Sequence, residues 1–223
     1  MTFTGKLLAF DTSAAHCAAV LVDGPRILTR HEPMQRGQGE RLMPLLEELL
    51  AEGGLTWSDL EALAVGIGPG NFTGIRIAVA AARGLALALG IPVMGISNFE
   101  LLMEEADTSV LLSLAAPRDQ VYLQRFEAGE AIGQPILVVP HDEELPPALY
   151  QGAVLRGAGA LALGARLGTP AEERLLEEPA VVLGRRAVLR LQKGMIGPKP
   201  APLYVRPPDA APPSDPPPVI LDA

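Results

Sequence analysis

Between Gly74 and Gly90 the chain reads GIRIAVAAARGLALALG, and only Arg76 and Arg83 interrupt its apolar character. Its length and lack of proline predict a helix, and apolar or small residues surround the whole circumference. A helix apolar all round needs cover on both sides. One side can lie on the chain's own sheet. The other needs a second cover, from this chain's own second lobe or from another protein, because so apolar a surface on a soluble monomer marks an interface. Gly74, Ala78, Ala82 and Ala86 recur at every fourth position, a small-residue stripe that lets another helix approach closely. Ala78, Ala82 and Ala86 are therefore candidate interface residues. Leu42, Leu45, Leu46 and Leu49 join them, from the segment GERLMPLLEELLAEGG, which also repeats at helical period.

The surrounding pattern is that of an α/β protein. KLLAFDTS (Lys6–Ser13), HCAAVLVDG (His16–Gly24) and PRILTRHE (Pro25–Glu32) are predicted strands, the last two joined at Asp23-Gly24, a hairpin signal. The leucine-rich helix closes at Gly53-Gly54, with Pro44 expected in its first turn or at a kink. LEALAVGIG is a fourth strand and IPVMGIS a fifth, and NFELLMEEA opens a third helix. The order β-β-β-α-β-α-β-α implies a mixed sheet with helices against it. After Asp107 the pattern loosens. Two strands turning at Pro117-Arg118-Asp119, short strands in QPILVVP and GAVLRGAG, and a late helix in EPAVVLGRRAVLRLQKG are expected. The organisation read from this is an N-terminal lobe over 1–106, a smaller C-terminal lobe over 107–206 and a proline-rich flexible tail over 207–223.

Composition narrows the function classes. The chain has 223 residues and a net charge of −8, so tight binding of nucleic acid by the isolated chain is not expected. Cys17 is the single cysteine, which excludes an internal disulfide framework. The N-terminus reads as a strand rather than a signal peptide. The apolar stretch Ile75–Ile96 is broken by Arg76, Arg83 and Pro92, which argues against a membrane span. A cytoplasmic protein with no membrane partner is expected.

The candidate chemistry lies in two loops. GIGPGNFTG joins the fourth strand to the apolar helix, a geometry that points backbone N–H groups and the helix dipole at one spot. Gly68, Pro69, Gly70, Asn71, Phe72, Thr73 and Gly74 are thus candidate phosphate-facing residues, with Arg76 adding a full charge. The same glycines serve equally well as a tight corner with close helix–sheet packing, and the residues alone leave the two readings even. The loop is neither a P-loop, since no Lys-Ser/Thr follows Gly74, nor a Gly-x-Gly-x-x-Gly fingerprint, being one residue too long. Asp11, Thr12 and Ser13 form the second candidate. An Asp at the end of a first strand, with hydroxyls beside it, can hold Mg²⁺ through water and face a phosphate, or it can simply cap a turn. His16, His31 and His141 are scattered and form no metal or nucleophile–base motif, so no metal site and no catalytic residue are assigned.

Taken together, LLAFDTS, GIGPGNFTGIRIAVAAARGLA, IPVMGISNFELL and the closing PLYVRPPDA resemble the TsaB (YeaZ) family over almost the whole chain. The match is strongest from Lys6 to Leu102, and Asn71 stands where the family usually has Ser. The resemblance implies a two-lobed actin/Hsp70/sugar-kinase-like (ribonuclease H-like) fold with mixed sheets flanked by helices and an abbreviated second lobe. It implies a non-catalytic subunit that dimerises with and activates a TsaD-like threonylcarbamoyl transferase, in forming threonylcarbamoyladenosine next to the tRNA anticodon. A TsaE-like ATPase belongs to the larger complex, and the isolated chain can pair with itself. No cofactor is required, and weak ATP or ADP binding with magnesium is allowed only in the complex. TsaD-like proteins carry an Asn-His-x-x-Gly-His type metal motif after the fifth strand. Here its two histidine positions fall on Asn98 and Leu102, and a leucine cannot bind a metal. The competing reading is a small self-sufficient ATPase or kinase of the same fold, using Asp11 and the glycine loop. A peptidase is disfavoured.

Overall fold

The computed structural model describes residues 5–141 and 144–205. The tail expected over 207–223 lies outside them. Strands β1 (Lys6–Asp11), β2 (His16–Asp23) and β3 (Arg26–Pro33) form the expected antiparallel meander. Then come α1 (Gln38–Gly53), β4 (Ala62–Gly66), α2 (Phe72–Leu89), β5 (Val93–Ile96) and α3 (Asn98–Leu102). β4 lies parallel to β1 and β5 parallel to β4, so the first sheet is ordered β3-β2-β1-β4-β5. β1 is covered on both faces, which is why it reads as a continuous apolar run. Leu8 and Phe10 pack with α1 and α2 on one side, and Leu7 and Ala9 face the other.

The second sheet contains β6 (Ser109–Ala116), β7 (Gln120–Glu127), β8 (Glu130–Val138), β9 (Val154–Gly157) and β10 (Ala171–Glu173), ordered β10-β9-β6-β7-β8. A short helix α4 (Pro147–Tyr150) and helix α5 (Ala160–Leu167) cover one of its faces. Read from the other edge, this is the first sheet again: an antiparallel meander with two parallel strands added beside its first member. The strand order, repeated in two lobes, is that of the actin/sugar-kinase (ribonuclease H-like) fold. Phe99 and Leu102 of α3 fill the other face of the second sheet, with Val110, Leu112, Tyr122 and Phe126.

One boundary differs from the sequence reading. α6 (Pro179–Gln192) was placed with the C-terminal lobe, yet it packs on the first sheet. Ala180, Leu183 and Ala187 bury against Leu7, Ala9, Ala18, Val20, Ala62 and Ala64. The cause is the uncovered face of that sheet: α1 and α2 both lie on one side, and an apolar second side needs a helix too. Gly184 permits the approach, since a Cβ there would stand 2.7 Å from Val20 Cγ1. For Pro44 the first-turn alternative does not hold. It lies inside α1 rather than in the first turn, because α1 begins at Gln38, after Gly37 in the left-handed region.

Candidate functional site

The expected phosphate-facing residues do come together, at the end of β1. Asp11 is buried and its Oδ2 accepts from Ser13 N (3.0 Å), Ser13 Oγ (2.9 Å) and His16 Nε2 (2.7 Å). The β1–β2 turn is thereby closed on its own carboxylate. The glycine loop then lies directly on this turn. Asn71 N donates to the Ser13 carbonyl at 2.6 Å, and Thr12 Oγ1 donates to the Gly74 carbonyl at 2.6 Å. Asn98, the first residue of α3, donates through Nδ2 to Ser13 Oγ and to the Pro69 carbonyl, both at 2.9 Å. Its backbone N–H bonds the Gly68 carbonyl at 2.8 Å.

The glycines serve this contact. A Cβ on Gly70 would sit 2.2 Å from the Ser13 carbonyl oxygen, one on Gly74 1.8 Å from that of Thr12, and one on Gly66 1.9 Å from Asp11 Oδ1. Of the two readings left open by the residues, close packing is the one the geometry follows. The N-terminus of α2 is also capped from within: Asn71 Oδ1 accepts from Thr73 N (3.0 Å) and Gly74 N (3.2 Å), the N–H groups an anion would have used. Arg76 does not turn toward the loop. Its Nε donates to Tyr204 Oη at 2.6 Å, and its guanidinium lies 3.9 Å above the Phe72 ring, which itself packs on Tyr204. This clamp pins the last described segment, Ala201–Val205, to the start of α2, and Leu203 N bonds the Ile67 carbonyl.

Two buried oxygens here lack a partner among the described residues, Asp11 Oδ1 and Asn98 Oδ1. Ser13 and His16 both bond the same oxygen of Asp11, so His16 is not interposed between a hydroxyl and an acid as a nucleophile–base relay requires. His31 packs against His16 with the rings tilted and 5.1 Å between centroids, while His141 is exposed in a turn. Among the described residues no three His, Cys, Asp or Glu side chains are grouped to hold a metal. Leu102 is buried in the apolar core.

The seven candidate interface residues are all in the chain's own core. Leu42, Leu45, Leu46 and Leu49 of α1 pack with Ala78, Ala82 and Ala86 of α2 above Leu8, Phe10, Leu63 and Val65. The expectation that these side chains meet a partner is corrected: the small-residue stripe seats α2 on its own sheet and against α1. The opposite face of α2 is left open. Arg76, Ala80, Arg83, Gly84, Leu87 and Ala88 are exposed, Leu87 by 86 %, with Ile77, Ala81 and Leu85 half-buried beside them. By length and composition alone α2 is apolar enough to cross a membrane, despite its two arginines, but six of its residues are buried in the core.

What sequence reasoning missed at this site is the partnership of His16, Asn98 and Tyr204 with the two loops. His16 lies only five residues from Asp11, and a tight strand–turn–strand brings such a pair face to face. No local signal marks Asn98 or Tyr204, which arrive from 85 and 128 residues away.

Comparison with known proteins places this architecture. Residues 32–142 match the family described as TsaD, tRNA N6-adenosine threonylcarbamoyltransferase. The tRNA threonylcarbamoyladenosine biosynthesis protein TsaB of Escherichia coli K12 is 32 % identical over 130 residues, 56 % of this chain and 56 % of that protein. The chain thus spans about half the length of the curated TsaB relatives it matches. A solved structure described as a protein with similarity to peptidase YEAZ, from Pseudomonas aeruginosa, is 31 % identical, with a TM-score of 0.70 over 91 % of this chain and 100 % of that one. The structure of YeaZ from the same organism is 29 % identical with a TM-score of 0.64, over 85 % of this chain and 93 % of that one. With its duplicated sheets and a glycine loop closed on Asp11, Thr12 and Ser13, the chain belongs to the TsaB/YeaZ family.

Proposed function

We propose that the chain is a non-catalytic subunit that docks on a TsaD-like threonylcarbamoyl transferase and activates it, in forming threonylcarbamoyladenosine beside the tRNA anticodon. The observation that carries this reading is the outward face of α2. Apart from Arg76 and Arg83 it is apolar and small-residued, with Ala80, Gly84, Leu87 and Ala88 exposed, and it carries no carboxylate. Small residues let a second helix approach, and an apolar face this long gains by being covered. The neighbouring α1 adds exposed Glu40, Pro44 and Glu47, so a partner helix lying between the two meets an apolar floor with charge at its rim. In this reading a TsaE-like ATPase joins the larger complex, the chain acts in the cytoplasm, and the same face lets isolated chains pair.

The closed site supports an accessory role. Asp11 is already held by Ser13 and His16, the glycine loop is sealed by Thr12 and Ser13, and Arg76 is held by Tyr204 and Phe72. The chain needs no cofactor of its own, and ATP or ADP with magnesium binds weakly and only within the complex.

The test uses Ala80→Glu and Leu87→Glu. Both side chains are exposed, so each variant folds with wild-type melting behaviour. In a complex each places a carboxylate, with Arg83 beside it on the same face, into an apolar contact, and removing even a paired charge from water weakens association. Association with a TsaD-like protein, followed by size-exclusion chromatography, is lost, and tRNA modification by the mixture falls to the level without this chain. If both variants pair and activate as wild type, the α2 face is not the docking surface. Robust ATP turnover by the purified chain, lost in Asp11→Ala, would instead make it an enzyme.

A further inference from the structure

The first sheet ends at β3, and β3 is an open edge. Native sheets protect an edge by keeping it short, bulged or covered. The other edges of the two sheets follow that rule. β10 has three residues and β5 four, and Pro200 and the Arg190 guanidinium lie against Gly95 of β5. β8 carries Pro135 and a register shift opposite Leu123–Arg125. β3 has eight residues, pairs with β2 from Arg26 to Pro33 without a shift, and carries no lysine. The ladder shows which of its backbone groups are free. Met34 N donates to the Ala15 carbonyl at 2.9 Å, next to the pair His16 and Pro33. Hydrogen-bonded and non-bonded pairs alternate along an antiparallel ladder. Glu32, Arg30, Leu28 and Arg26 therefore turn N–H and C=O toward β2, and His31, Thr29 and Ile27 turn theirs outward. These last three side chains are also exposed, Ile27 by 45 %.

We propose that β3 pairs antiparallel with β3 of a second copy of this chain, about a two-fold axis at Thr29. The stretch PRILTRHEP is balanced around that residue, with Pro25 and Pro33 four places away on either side. Thr29 then meets Thr29 of the partner subunit, and Ile27 meets His31 of the partner subunit. Each such pair exchanges two N–H···O bonds. Pro25 meets Pro33 of the partner subunit, at positions where an outward N–H is absent and so none is left unpaired. This register uses every outward N–H between the two prolines. Charge agrees with it, because Arg26 meets Glu32 of the partner subunit. Arg26 donates to the Glu52 and Gly53 carbonyls and forms no ion pair among the described residues. Glu32 and Glu48 share the single cation Arg41, so that group keeps a net negative charge. Opposite charges facing each other across a strand pair stabilise it.

The helices leave room for the seam. α1 lies chiefly over β2, and α6 chiefly over β1 and β2. A two-fold axis perpendicular to the sheet keeps each helix on the same face as its mate, three or more strand spacings away. At about 4.8 Å per spacing that is at least about 14 Å, beyond the interaxial distance of about 8–10 Å at which helices pack. α2 lies over β4, away from the seam, so its outward face stays open in the pair. The β3 seam is thus independent of the docking reading of α2, and the two are broken by different substitutions. The contact is isologous, closes on itself and joins the two copies' first sheets into one.

The experiment follows amide hydrogen exchange of the full chain by NMR across a range of protein concentration. The amides of Ile27, Thr29 and His31 are expected to exchange at least about tenfold faster after hundredfold dilution, as the pair dissociates. Those of Leu28 and Arg30, bonded to β2, do not change. In sedimentation, the wild type and Leu87→Glu form dimers. Thr29→Pro removes one outward N–H at an edge position that admits proline, and it sediments as a folded monomer. Thr29→Cys gives a disulfide-linked dimer on mild oxidation, since Cα atoms of such a pair lie about 5.5 Å apart, within bridging distance. Ser58→Cys, exposed and away from β3, gives none. A wild type that stays monomeric at high concentration overturns the proposal. So do dimers lost in Leu87→Glu but kept in Thr29→Pro, and outward amides whose exchange ignores concentration. Should Thr29→Pro fail to fold, the exchange pattern and the Thr29→Cys crosslink decide, and absence of either overturns the pairing.

Discussion

The same substitution at two glycines of α2 is expected to move stability in opposite directions. At Gly84 a new Cβ meets nothing within 4 Å, and the backbone is ordinary helix. Gly84→Ala therefore stabilises the isolated chain by about 0.5–1 kcal/mol, through the smaller backbone entropy of alanine in the unfolded state. At Gly74 the new Cβ stands 1.8 Å from the Thr12 carbonyl oxygen. A carbon and a carbonyl oxygen keep about 3.3 Å apart even in the closest favourable contacts, so one backbone must retreat by well over an ångström. Neither is a flexible side-chain end. The start of α2 is tied to the β1–β2 turn by Asn71 N to the Ser13 carbonyl, and the turn is tied back by Thr12 Oγ1 to the Gly74 carbonyl. Overpacking costs about 1–3 kcal/mol, and loss of the Thr12 hydrogen bond about 1 kcal/mol more, offset by about 1 kcal/mol of helix preference. Gly74→Ala is thus expected to destabilise by about 1–3 kcal/mol. Urea denaturation reads both changes. In thermal melting the loss appears as a drop of about 2–12 °C for a domain of this size. Equal stability of Gly74→Ala and the wild type would refute the claim that the glycine loop is sealed on the turn.

Two further outcomes follow from side-chain environments. Hydrogen bonds from the Arg41 guanidinium hold the Glu32 and Glu48 carboxyls below the ordinary value of 4.5, joining β3 to α1. Their contribution is present above the ordinary carboxylate value and is lost as pH falls through the lowered ones. The stability gap between wild type and Arg41→Met should therefore narrow from pH 7 to pH 3 in urea titrations, and a gap constant with pH would refute the link. Burial pushes the Cys17 thiol up to about 11. Labelling by a disulfide reagent at pH 8 should then be at least about a hundredfold slower in the native chain than in denaturant, and native labelling within minutes would show that the β2 strand opens.

The order of elements through the first lobe was legible in the residues, because strand and helix periods and the Gly/Pro punctuation are local properties. The meander of β1 to β3, the glycine loop before α2 and the turn at Pro117–Asp119 all lie where the residues predict. Family membership was legible for the same reason, since its motifs are contiguous. Tertiary structure alone decided which way each face points. An all-apolar α2 offers no hydrophobic side to read, so its inner stripe, Ala78, Ala82 and Ala86, was distinguishable from its outer one, Ala80, Gly84 and Leu87, only once the sheet and α1 were in place. The return of α6 to the first sheet was equally hidden, because the demand comes from an uncovered face more than a hundred residues earlier. The two loops could be named from sequence as anion-facing or as a corner. The choice between them rested on contacts of 62 and 85 residues' separation, Thr12 with Gly74 and Ser13 with Asn98, and non-local contacts of that kind leave no periodic trace in the chain.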